Sequence, residues 1–216
     1  NEKYSKIIIV NSDCLECRDR SISSTEEKQE LFHCELQPIH NWTNTEFDYL
    51  KKIKKEKKDL KLITFHMASS CDNPVIVGHS FDIGGKNYTK DEMLKNAELN
   101  FKIIKEIFGI NICIAVENNN YYNTEAYKYI TEASFIAEVV RSNDINFLFD
   151  IAHAKVTCYN KNINFEKYKR SLPLEKMVQI HICSYSINFE EDYAYDAHNY
   201  PDNGELHEVE ILIAEY

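Results

Sequence analysis

Residues 146–153 read Asn-Phe-Leu-Phe-Asp-Ile-Ala-His, a short apolar run that ends in an acid and an imidazole. A continuous apolar run of this length, bounded by polar residues, predicts a strand that is buried on both faces, as in a parallel sheet. Asp150 and His153 then fall where this strand ends and the next element begins. The same arrangement recurs along the chain, so this segment indicates how the fold is built.

Apolar runs of strand length alternate with amphipathic stretches of helix length through the rest of the sequence. This alternation is typical of repeated β-α units around a parallel sheet. The predicted strands cover residues 6–10, 31–36, 60–67, 112–116, 146–151, 177–183 and 193–196. The predicted helices cover residues 45–58, 89–108 and 124–140, and the second of them starts with the capping box Thr89-Lys-Asp-Glu92 and ends at Gly109.

The fold class predicted from this order is α/β, with the strands forming a TIM (β/α)8-type barrel. Neither the G-x-G-x-x-G fingerprint nor a P-loop occurs, which removes the usual reason to choose an open nucleotide-binding sheet. No linker or change in composition divides the chain, so residues 1–216 are predicted to form a single domain. Because 216 residues is short for this fold, we allow for a barrel that is incomplete at its C-terminal strand.

The charge balance limits the partners that this chain can bind. Its 35 acidic and 25 basic residues give a net charge of −10, which argues against a nucleic-acid or anionic membrane surface. No apolar run is long enough to cross a membrane. The 7 cysteines are an odd number scattered along the chain, and the pair Cys14-x-x-Cys17 lacks a second metal-binding pair. Reduced thiols and a cytoplasmic location are therefore expected.

Acids and imidazoles gather at the carboxyl ends of the predicted strands. Barrel enzymes carry their catalytic groups at these ends, which meet at one mouth of the barrel. The candidate metal ligands at this mouth are His66, Glu117, Asp150, His153, His181, Asp196 and His198.

Taken singly, each of these residues has an ordinary structural explanation, such as a hydrogen-bonded histidine or an aspartate that caps a helix. Taken together, they would require several buried charges to be neutralised separately, at a cost of several kcal/mol each. A shared cation neutralises them in one step. Neutral imidazoles and ionised carboxylates are ligands of zinc, manganese and non-haem iron, and their number on separate strands favours two or three ions.

The spacing of these residues resembles a known superfamily. Asp150-x-x-His153, His181 within Ile-His-Ile, and Asp196-x-His198, all following Glu117, resemble the xylose-isomerase-like barrels that include endonuclease IV and sugar isomerases. Within that superfamily the chain resembles the DUF692 family, the multinuclear non-haem iron-dependent oxidative enzymes (MNIO) of RiPP biosynthesis. Val116-Glu117-Asn118 is similar to the family's Leu-Glu-Asn strand, and the likeness covers residues 88–208.

The resemblance implies an oxidoreductase that uses dioxygen to modify cysteine residues of a ribosomally made precursor peptide. Delivery of this peptide by a partner protein is an optional part of the expectation. It implies two or three iron ions among the candidate ligands, with zinc or manganese as alternatives. Glu117 and Asp150 are the implied catalytic and bridging carboxylates. Asn118 is the implied contact to the substrate or to the metal ligands.

Two features of the chain depart from the family's pattern. The family usually carries Asn where this chain has His153, whereas endonuclease IV and the sugar isomerases carry His. The superfamily also carries a further Glu on its last strand. We expect either that this strand is missing or that Glu205 or residues 209–214 take its place.

Two other functions fit the same residues. One is a divalent-metal hydrolase or isomerase of the endonuclease IV or sugar-isomerase type, in which the cation activates water or polarises a carbonyl. The other is a non-enzymatic barrel that stores or senses a metal. The enzymes need an open coordination position, whereas the storage protein needs a closed one.

Overall fold

The computed structural model describes residues 2–216, and side chains from residue 6 onward. The strands are β1 (Glu16–Arg18), β2 (Leu31–Cys34), β3 (Leu62–Phe65), β4 (Val75–Val77), β5 (Ser80–Asp82), β6 (Cys113–Glu117), β7 (Asn146–Asp150), β8 (Met177–His181), β9 (Ser184–Asn188) and β10 (Tyr193–Asn199). The helices are α1 (Glu2–Val10), α2 (Asn44–Glu56), α3 (Lys90–Phe108), α4 (Ala133–Ser142), α5 (Ile151–Lys161), α6 (Phe165–Lys169) and α7 (Asn203–Glu215).

Six strands form one parallel sheet in the order β1-β2-β3-β6-β7-β8, and the sheet curls into part of a barrel. Every neighbouring pair in it is parallel. All six strands therefore end at the same edge of the sheet. This confirms the predicted α/β fold of the TIM-barrel type.

The central strands of the sheet, β3, β6 and β7, are buried on both of their faces. Every residue of β3 is buried, and Ile63 and Phe65 are fully enclosed. On the outer face, Phe101 and Ile104 of α3 belong to the same core. Such continuous burial is why strands of this kind appear as unbroken apolar runs in the sequence.

The predicted capping box of α3 is present in the structure. The hydroxyl of Thr89 accepts a hydrogen bond from the Glu92 amide at 3.3 Å, and the Glu92 carboxylate accepts one from the Thr89 amide at 2.9 Å. The helix ends at Gly109, whose φ of 76° suits a residue without a β-carbon. The prediction for α2 is also confirmed, although the helix starts one residue earlier and ends two residues earlier than predicted.

The predicted strand at residues 6–10 is wrong, because these residues belong to α1. Ile8 and Val10 are mostly exposed and pair with no strand of the described sheet. A short run of β-branched residues has the same pattern in a strand and in one face of a helix, so periodicity alone cannot separate them. The first strand is instead β1, which is three residues long and polar at both ends.

The predicted helix at residues 124–140 is shorter than expected. Thr124 caps a single 3-10 turn, Glu125–Tyr127, and α4 begins only at Ala133. Tyr129 lies between them with a φ of 69°, a left-handed conformation that interrupts any helix.

Residues 193–196 form a strand as predicted, but this strand does not belong to the barrel sheet. It lies in β10, which pairs antiparallel with β9 in a separate hairpin. After this hairpin, Asp202 caps α7, so residues 209–214 are helical and form no eighth strand. Among the helices of residues 2–216, none combines the length and the apolar character that a membrane span requires.

Candidate metal centre

Four of the predicted ligands meet at the carboxyl edge of the sheet. Glu117, Asp150 and His181 are the last residues of β6, β7 and β8, and His66 directly follows β3. Because these strands are parallel neighbours, their final side chains enter one cavity of about 490 Å³. The sequence prediction that strand-end acids and imidazoles converge therefore describes this edge correctly.

Glu117 lies at the centre of the cluster and is 2% exposed. Its Oε1 lies 2.9 Å from Nδ1 of His181, and its Oε2 lies 3.2 Å from Nδ1 of His66. A third imidazole approaches from β2, where Nε2 of His33 lies 3.3 Å from Oε2. One buried carboxylate thus faces three histidines from three different strands.

His33 was missed by the sequence analysis. It lies inside β2 rather than at its end, and only 1% of it is exposed. Its Nδ1 lies 2.6 Å from the hydroxyl of Thr64 on β3, which orients the ring so that Nε2 points at Glu117. The sequence signal for this residue is a histidine within the apolar run Leu31–Cys34. The prediction considered only residues at strand ends, so it did not include His33.

Glu16 on β1 was missed for a different reason. Its Oε2 lies 2.9 Å from Nε2 of His181, on the side of the ring opposite Glu117, and 2.6 Å from Nε2 of Gln179. Nothing in the sequence marks β1 as a strand, because it has only three residues. The role of Glu16 could therefore be seen only in three dimensions.

Two buried polar atoms in this cluster have no hydrogen-bond partner among the described residues. They are Nε2 of His33 and Oε2 of Glu117. Although they lie 3.3 Å apart, they are not aligned for a hydrogen bond with each other. Leaving such groups unsatisfied costs about 1 to 3 kcal/mol each. A cation held between an imidazole nitrogen and a carboxylate oxygen would satisfy both, so the donor set fits a bound metal ion.

Asp150 and His153 form the second part of the cluster. Asp150 caps α5 by accepting a hydrogen bond from the His153 amide at 2.7 Å. Nδ1 of His153 lies 2.9 Å from the backbone carbonyl of Asn118, and since a carbonyl only accepts, Nδ1 carries the proton and donates it. The other nitrogen, Nε2, is left to face Asp196 at 3.5 Å.

Asn118 lies behind the cluster rather than in the cavity. Its side chain donates to the Asp150 carbonyl at 2.9 Å and accepts from the Asp150 amide at 2.8 Å. It is fully buried and is not among the residues that line the cavity. The amide therefore holds the ends of β6 and β7 together and contacts Asp150, a candidate metal ligand, which is one of the two roles predicted for Asn118.

Replacing Asn118 by Ala is expected to destabilise the metal-free protein by about 2 to 4 kcal/mol, because two buried backbone groups of Asp150 lose their partners. Urea unfolding followed by circular dichroism measures this loss. Asn123→Ala, at an exposed loop position, is the matched control and should change the free energy of unfolding by less than about 0.5 kcal/mol. Equal unfolding midpoints for the two variants would show that the Asn118 bridge is unimportant.

Burial and neighbouring charges shift the pKa values in opposite directions across the cluster. Burial lowers the pKa of His66 to about 3, while the Glu117 charge opposes this shift. Burial alone would also lower the pKa of His181, but its hydrogen bonds to Glu117 and Glu16 raise the pKa to about 10. At His153 burial is likewise outweighed, and the charges of Asp150 and Glu117 raise its pKa to about 10.

The pKa values of the two buried carboxylates, Glu117 and Asp150, shift in opposite directions. Burial would raise the pKa of Glu117, but the imidazoles of His153 and His181 hold it well below its usual range. Burial raises the pKa of Asp150, and the nearby Glu117 charge adds to this effect. Protons on His153 and His181 therefore balance the carboxylates in the metal-free protein. A metal ion would compete with these protons for the same nitrogens.

Asp196 and His198 reach the cluster from the hairpin of β9 and β10 instead of from a barrel strand. Oδ2 of Asp196 lies 3.5 Å from Nε2 of His153 and 3.2 Å from Nε2 of His198. The His198 side chain is 70% exposed, so it occupies the outer rim. All seven predicted ligands thus line the same cavity, although two of them belong to a different sheet.

Glu205, the predicted substitute for a last-strand carboxylate, lies outside the cluster. It lies in the first turn of α7, where its two oxygens accept hydrogen bonds from Lys155 at 2.6 Å and from Ser184 at 2.5 Å. It is not among the residues that line the cavity. These two hydrogen bonds hold α7 against α5 and β9.

Comparisons with known proteins identify relatives of this chain. The model of the family described as RiPP precursor modification enzyme MbnB/TglH/ChrH matches residues 36–209. A UPF0276 protein from Shewanella loihica is 24% identical over 152 residues, which are 69% of this chain and 51% of that protein. A UPF0276 protein from Vibrio vulnificus is 26% identical over 95 residues, or 43% of this chain and 33% of that protein. The chain thus spans about half the length, or less, of these relatives.

A solved structure supports the fold alone. The apo form of 3-keto-D-glucoside 4-epimerase from E. coli superposes with a TM-score of 0.60 at 11% sequence identity, covering 99% of this chain and 92% of that one.

Glu16 and His33 precede the residues matched by the family model, so their place in the cluster rests on the structure. Since that model matches most of the chain, this protein belongs to the RiPP precursor modification enzyme family MbnB/TglH/ChrH.

Proposed function

We propose that this chain is a metal-dependent oxidative enzyme that modifies cysteine residues of a ribosomally made peptide. The observation that carries the proposal is the arrangement of His33, His66 and His181 around the buried carboxylate of Glu117. Membership in a family of peptide-modifying enzymes supplies the class of substrate. The metal identity, the use of dioxygen and the cysteine target belong to the proposal.

The donor atoms suit two ions that share a carboxylate. His33, Glu117 and His181 place one ligand atom each within 4.8 Å of one another. Glu117, Asp150 and His153 do the same. A carboxylate has two oxygens and can serve two cations, so Glu117 is the proposed bridge. Imidazole and carboxylate ligands suit iron, and they also accept manganese or zinc.

Iron bound by these residues would supply the redox chemistry, with dioxygen as the oxidant. The chain's own part is to hold the ligand side chains in place. Thr64 orients His33, and Glu16 accepts the hydrogen bond of the His181 nitrogen that faces away from Glu117. Partners of this kind fix which nitrogen of a histidine is free to bind a metal.

The cavity offers little to hold a phosphorylated substrate. Arg18 is the only lysine or arginine among the described residues that line it, and its guanidinium lies 3.5 Å from Glu16. Phosphate binding relies on unpaired cationic groups. Tyr122, Tyr127 and Phe81 form part of the wall, which would shield a bound peptide residue from water.

The test begins with iron and zinc analysis of protein purified without oxygen. The gene neighbourhood is then searched for a short Cys-containing peptide, and the chain is co-expressed with each candidate, with and without the other neighbouring proteins, because delivery by a partner is part of this proposal. We expect bound iron and a change in peptide mass that maps to cysteine and requires dioxygen. A peptide with Cys replaced by Ser is the matched control and should stay unmodified.

Stoichiometric zinc without iron, together with no oxygen consumption in the presence of the peptide, would overturn the proposal. That result would favour a hydrolase or an isomerase, which needs a cation but no oxidant.

A further inference from the structure

A third group of metal-ligating side chains lies at the outer edge of the cluster. Cys183 follows β8 two residues after His181, and β10 returns beside it with Asp196 and His198. Sγ of Cys183 lies 3.6 Å from Oδ1 of Asp196 and 3.7 Å from Nδ1 of His198. The sulfur of Cys183, in the connection between β8 and β9, thus lies close to an oxygen and a nitrogen ligand from β10.

The separations of these atoms match those in a small metal site. Metal-to-sulfur and metal-to-nitrogen bonds of about 2.3 and 2.05 Å at a tetrahedral angle put sulfur and nitrogen about 3.6 Å apart. The two measured distances from Sγ are 3.6 and 3.7 Å. The sulfur is therefore spaced from both neighbours as a shared cation would require, and all three side chains place a ligand atom within 4.8 Å of one another.

The backbone of β10 is irregular at this point. The register of the hairpin shifts between Tyr195 and Asn199, and His198 has a φ of 47°. A regular strand would alternate its side chains between the two faces. A bulge redirects side chains, and here it accompanies the approach of both Asp196 and His198 to one sulfur atom.

Hydrogen bonds can also satisfy these contacts, because the thiol can donate to the Asp196 carboxylate while its sulfur accepts from a protonated Nδ1 of His198. A cation between the three side chains would replace both hydrogen bonds, so the two arrangements differ in whether the sulfur is a thiol or a thiolate.

We propose that Cys183, Asp196 and His198 form a thiolate-containing metal site at the outer edge of the cluster. This inference rests on the proposed function, because it adds a third, sulfur-bound ion beside the two that the imidazoles and carboxylates would hold. A thiolate favours Zn²⁺, Fe²⁺ and Co²⁺ over Mg²⁺ and Mn²⁺. The outer ion therefore differs in ligand chemistry from the ions held by imidazoles and carboxylates alone.

The probe is Co²⁺ added to the full metal-free chain under anaerobic, reducing conditions. Cobalt bound to a thiolate gives a sulfur-to-metal charge-transfer band in the near ultraviolet, which oxygen and nitrogen ligands do not give. We expect this band, and we expect it to persist in a large excess of Mg²⁺. It should disappear in Cys183→Ser, which keeps the size of the side chain but removes the thiolate.

Two further variants make the test specific. His198→Ala removes an exposed ligand that makes little contact with the core, and it should weaken cobalt binding at this site by about 10-fold or more. Cys113→Ser is the matched control, since this half-buried thiol lies at the opposite end of β6 from the cluster. The control should keep the full band.

The outcomes separate this inference from the proposed function. A band that survives in Cys183→Ser would overturn the thiolate site, because another cysteine would then be the ligand. Cobalt bound by the wild-type chain without any such band would also overturn it, while leaving the proposed imidazole and carboxylate sites intact. A chain that binds neither cobalt, iron nor zinc would overturn both proposals.

Discussion

Glu117→Gln is expected to lose at least one iron ion per chain and to bind Fe²⁺ about 100-fold more weakly or worse. Glu117 faces His33, His66 and His181, and it is the carboxylate shared by two groups of ligand atoms. Replacing a residue that merely supports a ligand typically costs 10- to 100-fold in affinity. The loss of a shared ligand should reach at least the upper end of that range.

The measurement is an anaerobic titration of Fe²⁺ against a competing chelator, combined with metal analysis of the purified variant. Glu98→Gln changes an exposed glutamate on α3 and is the matched control, which should bind iron as the wild type does. Glu117→Asp keeps the charge on a shorter side chain and should lie between the two. Equal affinities for Glu117→Gln and Glu98→Gln would contradict the role assigned to this carboxylate.

Adding Fe²⁺ to the metal-free protein is expected to raise its melting temperature by about 5 to 11 °C when free Fe²⁺ is about 100 times the dissociation constant. Under that condition a ligand that binds only the folded state stabilises it by about 2.7 kcal/mol. For a chain of this size, each kcal/mol shifts the midpoint by about 2 to 4 °C. The unsatisfied atoms of His33 and Glu117 are the groups that gain partners.

Differential scanning fluorimetry under anaerobic conditions measures this shift. His33→Gln should lose most of the stabilisation, because it removes an imidazole that faces Glu117. His207→Ala, on the exposed face of α7, should keep it. An unchanged melting temperature of the wild type at saturating Fe²⁺ would contradict the proposed centre.

The sequence was sufficient to predict the strands that are buried on both faces. The segments around β3, β6 and β7 are largely buried apolar runs that end at the predicted acid or imidazole, whereas β8 contains Gln179 and is only half-buried. These residues lie together because parallel strands end at one edge, which follows from the fold class alone. The convergence of Glu117, Asp150 and His181 was therefore predictable without coordinates.

Other parts of the centre depend on contacts between residues far apart in the chain. Glu16 contacts His181 from β1, a strand too short to show a hydrophobic period in the sequence. Residues 6–10 resemble a strand only because β-branched residues dominate them, and they are helical. An alternating pattern identifies β10 as a strand but does not say which strand it pairs with. Asp196 was therefore assigned to the cluster correctly and to the barrel wrongly.

Anomalous diffraction at the iron edge, from crystals grown and loaded with Fe²⁺ without oxygen, tests the central claim most directly. The account predicts iron peaks within bonding distance of Glu117, among the imidazoles of His33, His66 and His181. Crystals that show these side chains around solvent alone, or iron bound elsewhere on the molecule, would contradict it.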